Sequence, residues 1–421
     1  MGTSHVEEEA GVAGHTVGGA VIPDRPDLAR MRADRHARLV AEMGRQGVDA
    51  VVLSGSGAVS YAVGAATPAT DSGRSLLGHP VAVVLAGDAH PHLFTPFPEG
   101  APSGLPADHV HGGLCPDDEE GSATLARFLA GAVPSGAQVA FDDLPHPLRA
   151  RVGPGSAMPV QPRSASAVLG PARIAKTPDE LACIRRAQRI NEQAMSDVQI
   201  LLRPGVRQSD LTACFLRRVF ELGATANCLD PIWQPMPRSL GEGPWTTHGG
   251  VAFPVPSSDA FLREGDVIWV DTGISYEGYA SDFGRTWIVG ADPRPSARQE
   301  AQFELWRAVM DAVLGACRPG ATGGDLCRAA TGAAGGVRPW IEHFYLAHGV
   351  GTESAEMPLI GTDLGEAFDE STVLAPGMVL VLEPVVWDDG AGGYRSEDVF
   401  AVTDDGWAPL SGHPFDPYGA A

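Results

Sequence analysis

The segment WVDTGISYEGYASDFGRTW, Trp269 to Trp287, decides how this chain is read. It has the pattern of two strands joined by a tight turn. Val267, Ile268, Trp269 and Val270 lead in, Gly278, Tyr279 and Ala280 lead out, and Thr286, Trp287, Ile288 and Val289 continue. An apolar hairpin of this kind belongs in a core, yet it carries Asp271 on one arm and Asp282 on the other. The point midway between them is Tyr276-Glu277, which sets the expected turn and makes the two aspartates opposed neighbours on one face, with Cβ atoms about 5 Å apart. Two ionised carboxylates at that separation repel, and a pKa rises unless a cation lies between them.

A second stretch, VLVLEPVVWDDGAGGYRSEDVFAVT from Val379 to Thr403, repeats the arrangement. Its turn falls at DDGAGG, and Glu383 and Glu397 are symmetric about Gly390. Between the two hairpins, LAHGVGTE supplies His348 among glycines that let backbone approach closely. Four carboxylates and one imidazole form a hard, oxygen-dominated donor set. It suits one or two divalent ions such as Mn²⁺, Co²⁺, Fe²⁺, Mg²⁺ or Zn²⁺, and four negative charges balance two of them. A two-metal site acidifies a bridging water and clamps both ends of a hydrolytic displacement.

The surrounding sequence explains why the pattern occurs twice. RPGVRQSDL begins at Arg203 and RPGATGGDL at Arg318; each follows a long helical pattern and precedes a second one, then strand-like sequence. This indicates an internal duplication, two helix–helix–sheet units joined as pseudo-symmetric halves with a cleft along the pseudo-axis. The first half opens on Thr177-Pro178-Asp179-Glu180, a capping box with proline at the first helical position. Upstream, LARMRADRHARLVAEMGRQG reads as an amphipathic helix ended by Gly47, and VDAVVLSG, HPVAVVLAG and QVAFDD read as strands of an α/β layer. No phosphate loop or dinucleotide fingerprint appears there. Residues 1–22 are expected to be a flexible tail, 23–163 an α/β domain, 164–176 a linker, and 177–421 an α+β domain carrying the chemistry.

Composition narrows the partners. The 421 residues carry a net charge of −22, with 44% hydrophobic and 19% charged residues. Such an acidic surface disfavours nucleic acid and anionic membranes, and no apolar run approaches the ~18 residues of a membrane span. The acidic amino terminus lacks the basic start and apolar stretch of a secretory signal. The six cysteines are scattered without a CxxC pair, as expected of reduced thiols in a cytoplasmic protein.

In the motifs DTGISYEGYASDFGRTW, AHGVG, LEP and YRSED, in that order, the sequence resembles the pita-bread metallopeptidases: methionine aminopeptidases, Xaa-Pro aminopeptidases, prolidases and creatinase. The resemblance covers roughly residues 165–421, and the preceding domain is similar to the amino-terminal domain of the prolidase and creatinase branch. It implies a pita-bread domain with two divalent ions (Mn, Co, Fe or Zn), Asp271 on the first, His348 and Glu383 on the second, Asp282 and Glu397 bridging, and a metal-bound hydroxide as nucleophile. Glu383 is the implied proton shuttle, Arg395 a partner that fixes a ligand carboxylate, and a homodimer the implied assembly.

The sequence also departs from that family. In HGVGTESAEMP, Ala355 stands where the peptidases carry the second histidine of HGxGxxxHE, and Pro254 stands where another histidine is expected. Those histidines steady the tetrahedral intermediate, and loss of such a donor typically costs about 10²–10³ in rate. His248, in GPWTTHGG, is the nearest substitute. The HGVG…PL segment, the PGM hairpin and the terminal HPFDP resemble, more loosely, the dimethylsulfoniopropionate lyases, which implies β-elimination as an alternative, with His248, Tyr279, Tyr345 and Asp363 as candidate bases. In the long loop DPIWQPMPRSLGEGPWTTHGG, Trp233 and Trp245 either line the cleft mouth or pack in the core. The function expected is therefore a metal-dependent hydrolase of the Xaa-Pro peptidase type acting on a small or short-peptide substrate. A lyase on the same scaffold and a non-catalytic binding scaffold are the alternatives.

Overall fold

A computed structural model describes residues 15–64, 80–156, 158–236, 259–341, 344–388 and 392–419. The chain forms two compact units, Asp27–Ala175 and a second that joins the segment up to Pro26 to the chain from Lys176 onward. Residues 15–22, expected within a flexible tail, instead make a small hairpin of β1 (Thr16–Val17) and β2 (Ala20–Val21). Asp404 holds it by accepting from the turn amides of Gly18 and Gly19 at 2.8 and 3.0 Å, a long-range tie that local composition does not reveal.

The Asp27–Ala175 unit is a three-layer α/β/α arrangement. Its helices are α1 (Leu28–Gln46), α2 (Ser56–Val63), α3 (Glu119–Ala132), α4 (His146–Val152) and α5 (Ser166–Ile174). Its strands are β3 (Ala50–Leu53), β4 (Val81–Leu85), β5 (His92–Thr95), β6 (Val110–Gly112), β7 (Gln138–Phe141) and β8 (Gln161–Ser164), in the order β6-β5-β4-β3-β7-β8. Alternate residues of β3 and β4 feed opposite faces, as the period of two requires. Val51, Leu53, Ala82 and Val84 pack with Leu39 and Met43 of α1, Val59 of α2 and Val168 of α5. Val52, Val81 and Val83 pack with Leu125 and Leu129 of α3 and Leu148 of α4. The segment expected as a linker is thus largely α5, whose Val168, Leu169 and Ala172 complete one face of this core. Its Pro171 and the surrounding small residues give a weak helical signal, which burial overrides.

In the second unit the duplication appears as matched local structure. Helices α6 (Pro178–Gln199) and α7 (Gln208–Glu221) flank the first RPG turn, and α8 (Ala297–Ala316) and α9 (Gly323–Ala333) flank the second. The amide of Gly205 donates to the Leu262 carbonyl and that of Gly320 to the Leu374 carbonyl, both at 2.8 Å. Leu262 and Leu374 return the bond to Val206 and Ala321, also at 2.8 Å. The equivalent bridges Arg207↔Phe261 and Thr322↔Val373 follow, and Asp210 and Asp325 close matching capping boxes.

Each half contributes a sheet. In the first, the central strand β10 (Val267–Tyr276) pairs with β9 (Ala226–Pro235), β11 (Tyr279–Ala280) and β12 (Phe283–Ile288). The second contains β13 (Ala347–Gly349), β14 (Glu356–Ile360), β15 (Val379–Leu382), β18 (Asp398–Val402) and β19 (Trp407–Pro409), in the order β14-β13-β15-β18-β19. Between β15 and β18, β16 (Val385–Asp388) pairs with β17 (Gly392–Arg395) as a two-stranded ribbon. An isolated bridge, Gly284↔Glu397, stitches the two halves. A short helix, α10 (Glu366–Ser371), precedes β15. The beginning of the Asp230–Gly250 segment, expected to lack regular structure, is the end of β9. Pro231 and Pro235 obscure its strand pattern and are tolerated because β9 pairs only with β10.

Candidate metal centre

The first hairpin turns one residue later than the symmetry of its aspartates predicts. Its tip is Glu277-Gly278, with φ of 51° and 82°, the left-handed pair of a two-residue type I′ turn. The pairing Tyr276↔Tyr279 then carries through to Asp271↔Gly284. Asp271 therefore faces Gly284, not Asp282, and Asp282 sits diagonally beyond it in the break between β11 and β12. The shift is by two residues on one arm, so both aspartates keep the same face. Gly284 makes that diagonal usable, because a Cβ there would lie 2.6 Å from Glu397 Oε1 and 2.8 Å from an Arg395 guanidinium nitrogen. In the second hairpin Val385 pairs with Arg395 and Leu382 with Asp398, and the same register sets Glu383 across from Glu397.

The two hairpins bring five side chains to one place. Oxygen atoms of Asp271, Asp282 and Glu397 lie within 4.8 Å of one another. His348 on β13 points Nε2 at Asp282 Oδ2, 3.3 Å away, and at Glu383 Oε1, 3.4 Å away. Its Nδ1 lies 2.9 Å from the Gly349 carbonyl, so Nδ1 carries the proton and Nε2 presents a lone pair to the carboxylates. Among the described residues, Arg395 is the guanidinium that pairs with these carboxylates. It donates to Glu383 Oε2 at 2.7 Å and Asp271 Oδ2 at 3.2 Å, and pairs with Glu397 Oε2 at 2.5 Å. The Trp269 ring covers Arg395, with the guanidinium carbon 4.8 Å from its centroid.

Four buried carboxylates around one guanidinium leave an excess of negative charge. Burial is the largest cause pushing all four carboxyl groups up. Asp282 rises to about 8, with the Asp271 charge adding to burial, and Glu383 rises to about 8 although Arg395 opposes the rise. Asp271 and Glu397 are also held well above the usual carboxylate range, with Arg395 again opposing. Asp271 Oδ1 and Glu397 Oε1 are buried without a hydrogen-bond donor. Buried acceptors left this way are costly unless a cation serves them. The donor set therefore fits divalent metal: carboxylate oxygens with free lone pairs, one oriented imidazole, and too little cationic charge from the protein.

Helices α6 and α8 hold the two hairpins in corresponding ways. Gln188 of α6 brackets Asp282, donating to its carbonyl at 2.8 Å and accepting from its amide at 3.1 Å. Asn191, one turn on, donates to the Thr272 carbonyl and Ser281 Oγ, and accepts from Thr272 Oγ1. On α8, Gln302 donates to the Gly392 carbonyl and Trp306 to the Pro384 carbonyl. Sequence reading missed these clamps and the Trp269 cover. A pair of buried amides at helical spacing within an otherwise apolar face was their only signal.

The remaining candidates divide. Trp233, proposed for the cleft mouth or the core, is a core residue: it is 1% exposed, packs edge-on to Phe215, and donates from its indole to Thr212. Tyr279 is fully buried and donates to Glu180 at 2.7 Å, which makes it a tie between β11 and α6. Tyr345 does belong to the centre, its ring 4.8 Å from that of His348. Burial, then the Glu383 charge, hold its phenol far above the usual range, so the phenol stays protonated in the metal-free chain. Asp363 lies on the exposed turn after β14. Ala355 is exposed just before β14, and the next residue, Glu356, is buried in an ion pair with Lys176 at 2.5 Å. His248, Trp245 and Pro254 lie outside the described residues. Cys228 is near Asp282, and burial pushes its thiol up to about 12. All six cysteines are free thiols. Among the described residues no helix is long and apolar enough to cross a membrane.

A model of metallopeptidase family M24 matches residues 182–404. The chain is 31% identical over 265 residues to the probable dipeptidase PepE of Mycobacterium tuberculosis, covering 61% of this chain and 64% of that protein. It is 30% identical over 236 residues to the Xaa-Pro dipeptidase of Pyrococcus furiosus, covering 56% and 62% respectively. Both matches span less than two thirds of the relative's length. The solved prolidase of Pyrococcus horikoshii OT3 shares the fold, with a TM-score of 0.70 over 91% of this chain and 99% of that one at 22% identity. The family match runs through every one of the five converging side chains, from the helix that clamps Asp282 to the strands that carry Glu383 and Glu397, and the chain belongs to metallopeptidase family M24.

Proposed function

We propose that the chain is a dinuclear metal-dependent hydrolase that cleaves the amide or peptide bond of a small substrate, with Xaa-Pro dipeptides as the nearest class. The observation that carries this reading is the meeting of Asp271, Asp282, His348, Glu383 and Glu397 around a single guanidinium. Asp271 would hold one ion, His348 and Glu383 the other, and Asp282 and Glu397 both. Divalent ions held there supply Lewis acidity toward the scissile carbonyl and water acidic enough to react near neutral pH. The chain's own part is to orient and to move protons. Arg395 fixes Glu383 through Oε2, which leaves Oε1 facing His348 and available to take a proton from the attacking water and pass it to the leaving amine. Tyr345 braces the His348 ring. The names of the relatives, dipeptidase and Xaa-Pro dipeptidase, support the substrate class.

The test is hydrolysis of Xaa-Pro dipeptides by the full chain with Mn²⁺ or Co²⁺ added. Turnover is expected, and Glu383→Gln, which removes a ligand charge together with the proton shuttle, should lower kcat by at least about 10²–10⁴, the usual share of general acid–base catalysis, even with metal in excess. Failure to cleave any such dipeptide with either metal would overturn the reading. Release of an unsaturated acid instead would establish the elimination chemistry of the looser resemblance.

A further inference from the structure

The Asp27–Ala175 unit carries a second set of ligating side chains that the catalytic centre does not use. Four of the chain's thirteen histidines fall in two short motifs, HPH (His90, His92) and HVH (His109, His111). Strands β5 and β6 run parallel with Phe94 opposite His111, which brings the motifs side by side. The turn after β4 adds Asp88.

The geometry within this set is specific. The His92 and His109 rings stack with centroids 4.1 Å apart and planes within 3°, so ligation of one ion by both turns one ring out of the stack. His109 Nδ1 lies 3.2 Å from the Pro91 carbonyl, so Nδ1 carries the proton and Nε2 keeps its lone pair. His92 Nδ1 lies 3.0 Å from His111 Nε2, and His92 Nε2 lies 2.9 Å from Asp88 Oδ2. With His111 Nε2 as donor to His92 Nδ1, His92 Nε2 donates to the Asp88 carboxylate, and a bound ion takes the place of that proton. Ligating atoms of Asp88, His92 and His109 lie within 4.8 Å of one another. The Phe128 ring packs edge-on against His92 and His111 at 4.8 and 5.3 Å, giving the set an apolar back wall. The His92 side chain is 11% exposed and that of Asp88 36%, so the set is open to solvent at Asp88.

We infer that Asp88, His92 and His109 form a second metal site, independent of the catalytic centre, for a borderline transition metal of the zinc class. Two imidazoles and one carboxylate suit Zn²⁺ better than Mg²⁺ or Ca²⁺, which take oxygen ligands. Three protein ligands leave the fourth tetrahedral position to water. His111 is a positioning residue: it fixes the tautomer and ring plane of His92, as outer partners of metal-bound histidines do. A bound ion ties the turn after β4 to the segment before β6.

The test uses the full chain with the catalytic centre disabled by Asp282→Ala and His348→Ala. This protein should bind one equivalent of Zn²⁺ in a chelator competition, and Co²⁺ in its place should give the visible absorption of a low-coordinate N/O site. Adding His109→Gln should remove both signals with the far-ultraviolet circular dichroism unchanged. Adding His111→Phe should keep the Co²⁺ spectrum but weaken Zn²⁺ binding about 10–100-fold. As a control against misfolding of the double variant, His109→Gln in the otherwise native chain should bind one Zn²⁺ fewer than the parent and keep its hydrolytic activity. Unchanged zinc stoichiometry and affinity in both His109→Gln proteins would overturn the inference.

Discussion

Arg395 shows how much of the metal centre rests on a single side chain. Its Nη2 lies against Asp271, Glu383 and Glu397 at once while Nε adds a second contact to Glu383 at 3.3 Å, a two-nitrogen grip that an ammonium does not reproduce. Arg395→Met removes the guanidinium that, among the described residues, pairs with these carboxylates and leaves four buried carboxylates around His348. Breaking a buried pair by removing one partner costs about 3–5 kcal/mol, so the metal-free variant should melt far below the parent. Mn²⁺ should restore part of the loss, because the ions neutralise the same oxygens. Thermal melts with and without Mn²⁺ check this. A variant that melts like the parent in both would show that Arg395 does not neutralise the site.

At the scale of the element, each half presents its hairpin on a rigid helix. Gln188 of α6 fixes the arm with Asp282 and Asn191 ties both arms through Thr272 and Ser281, while Gln302 and Trp306 of α8 fix the arms of the second hairpin. The strand β9 completes the first sheet from its other edge. Its Trp233 lies opposite Val270, next to a metal-centre residue in sequence but turned into the core. Trp233→Ala should therefore lower stability by about 3–5 kcal/mol through the cavity it leaves. KM for a dipeptide should stay unchanged, since the side chain does not face substrate. Denaturant midpoints and steady-state kinetics on one preparation separate the two. A raised KM with unchanged stability would return Trp233 to the cleft.

For the whole molecule, the charge of the centre couples metal, proton and stability. Asp282 and Glu383 titrate near 8 in the folded, metal-free chain, whereas unfolded carboxylates titrate near about 4. Between those values the folded state holds protons that the unfolded state releases, so stability is full below the lower value and falls as pH rises through the upper one. The metal-free protein should lose melting temperature steadily from about pH 5 to pH 8. Saturating Mn²⁺ displaces the same protons, so its stabilising increment should be larger at pH 8 than at pH 6. A flat melting profile, or a metal increment independent of pH, would contradict the buried-carboxylate account.

The sequence by itself determined the family, the two hairpins, their duplicated helical supports and the carboxylates on them. These features are written in local periodicity, turn residues and the RPG repeat, each legible within a few tens of residues. Tertiary structure decided what depends on distant partners. The Glu277-Gly278 tip set the register, so Asp271 faces Gly284 and Asp282 lies diagonal to it. Packing sent Trp233 and Tyr279 inward, made a core helix of residues expected to link domains, and pinned the amino-terminal hairpin to Asp404. The physical reason is the same throughout. A side chain's direction follows from pairing and burial against residues far along the chain, and no local window of sequence contains them.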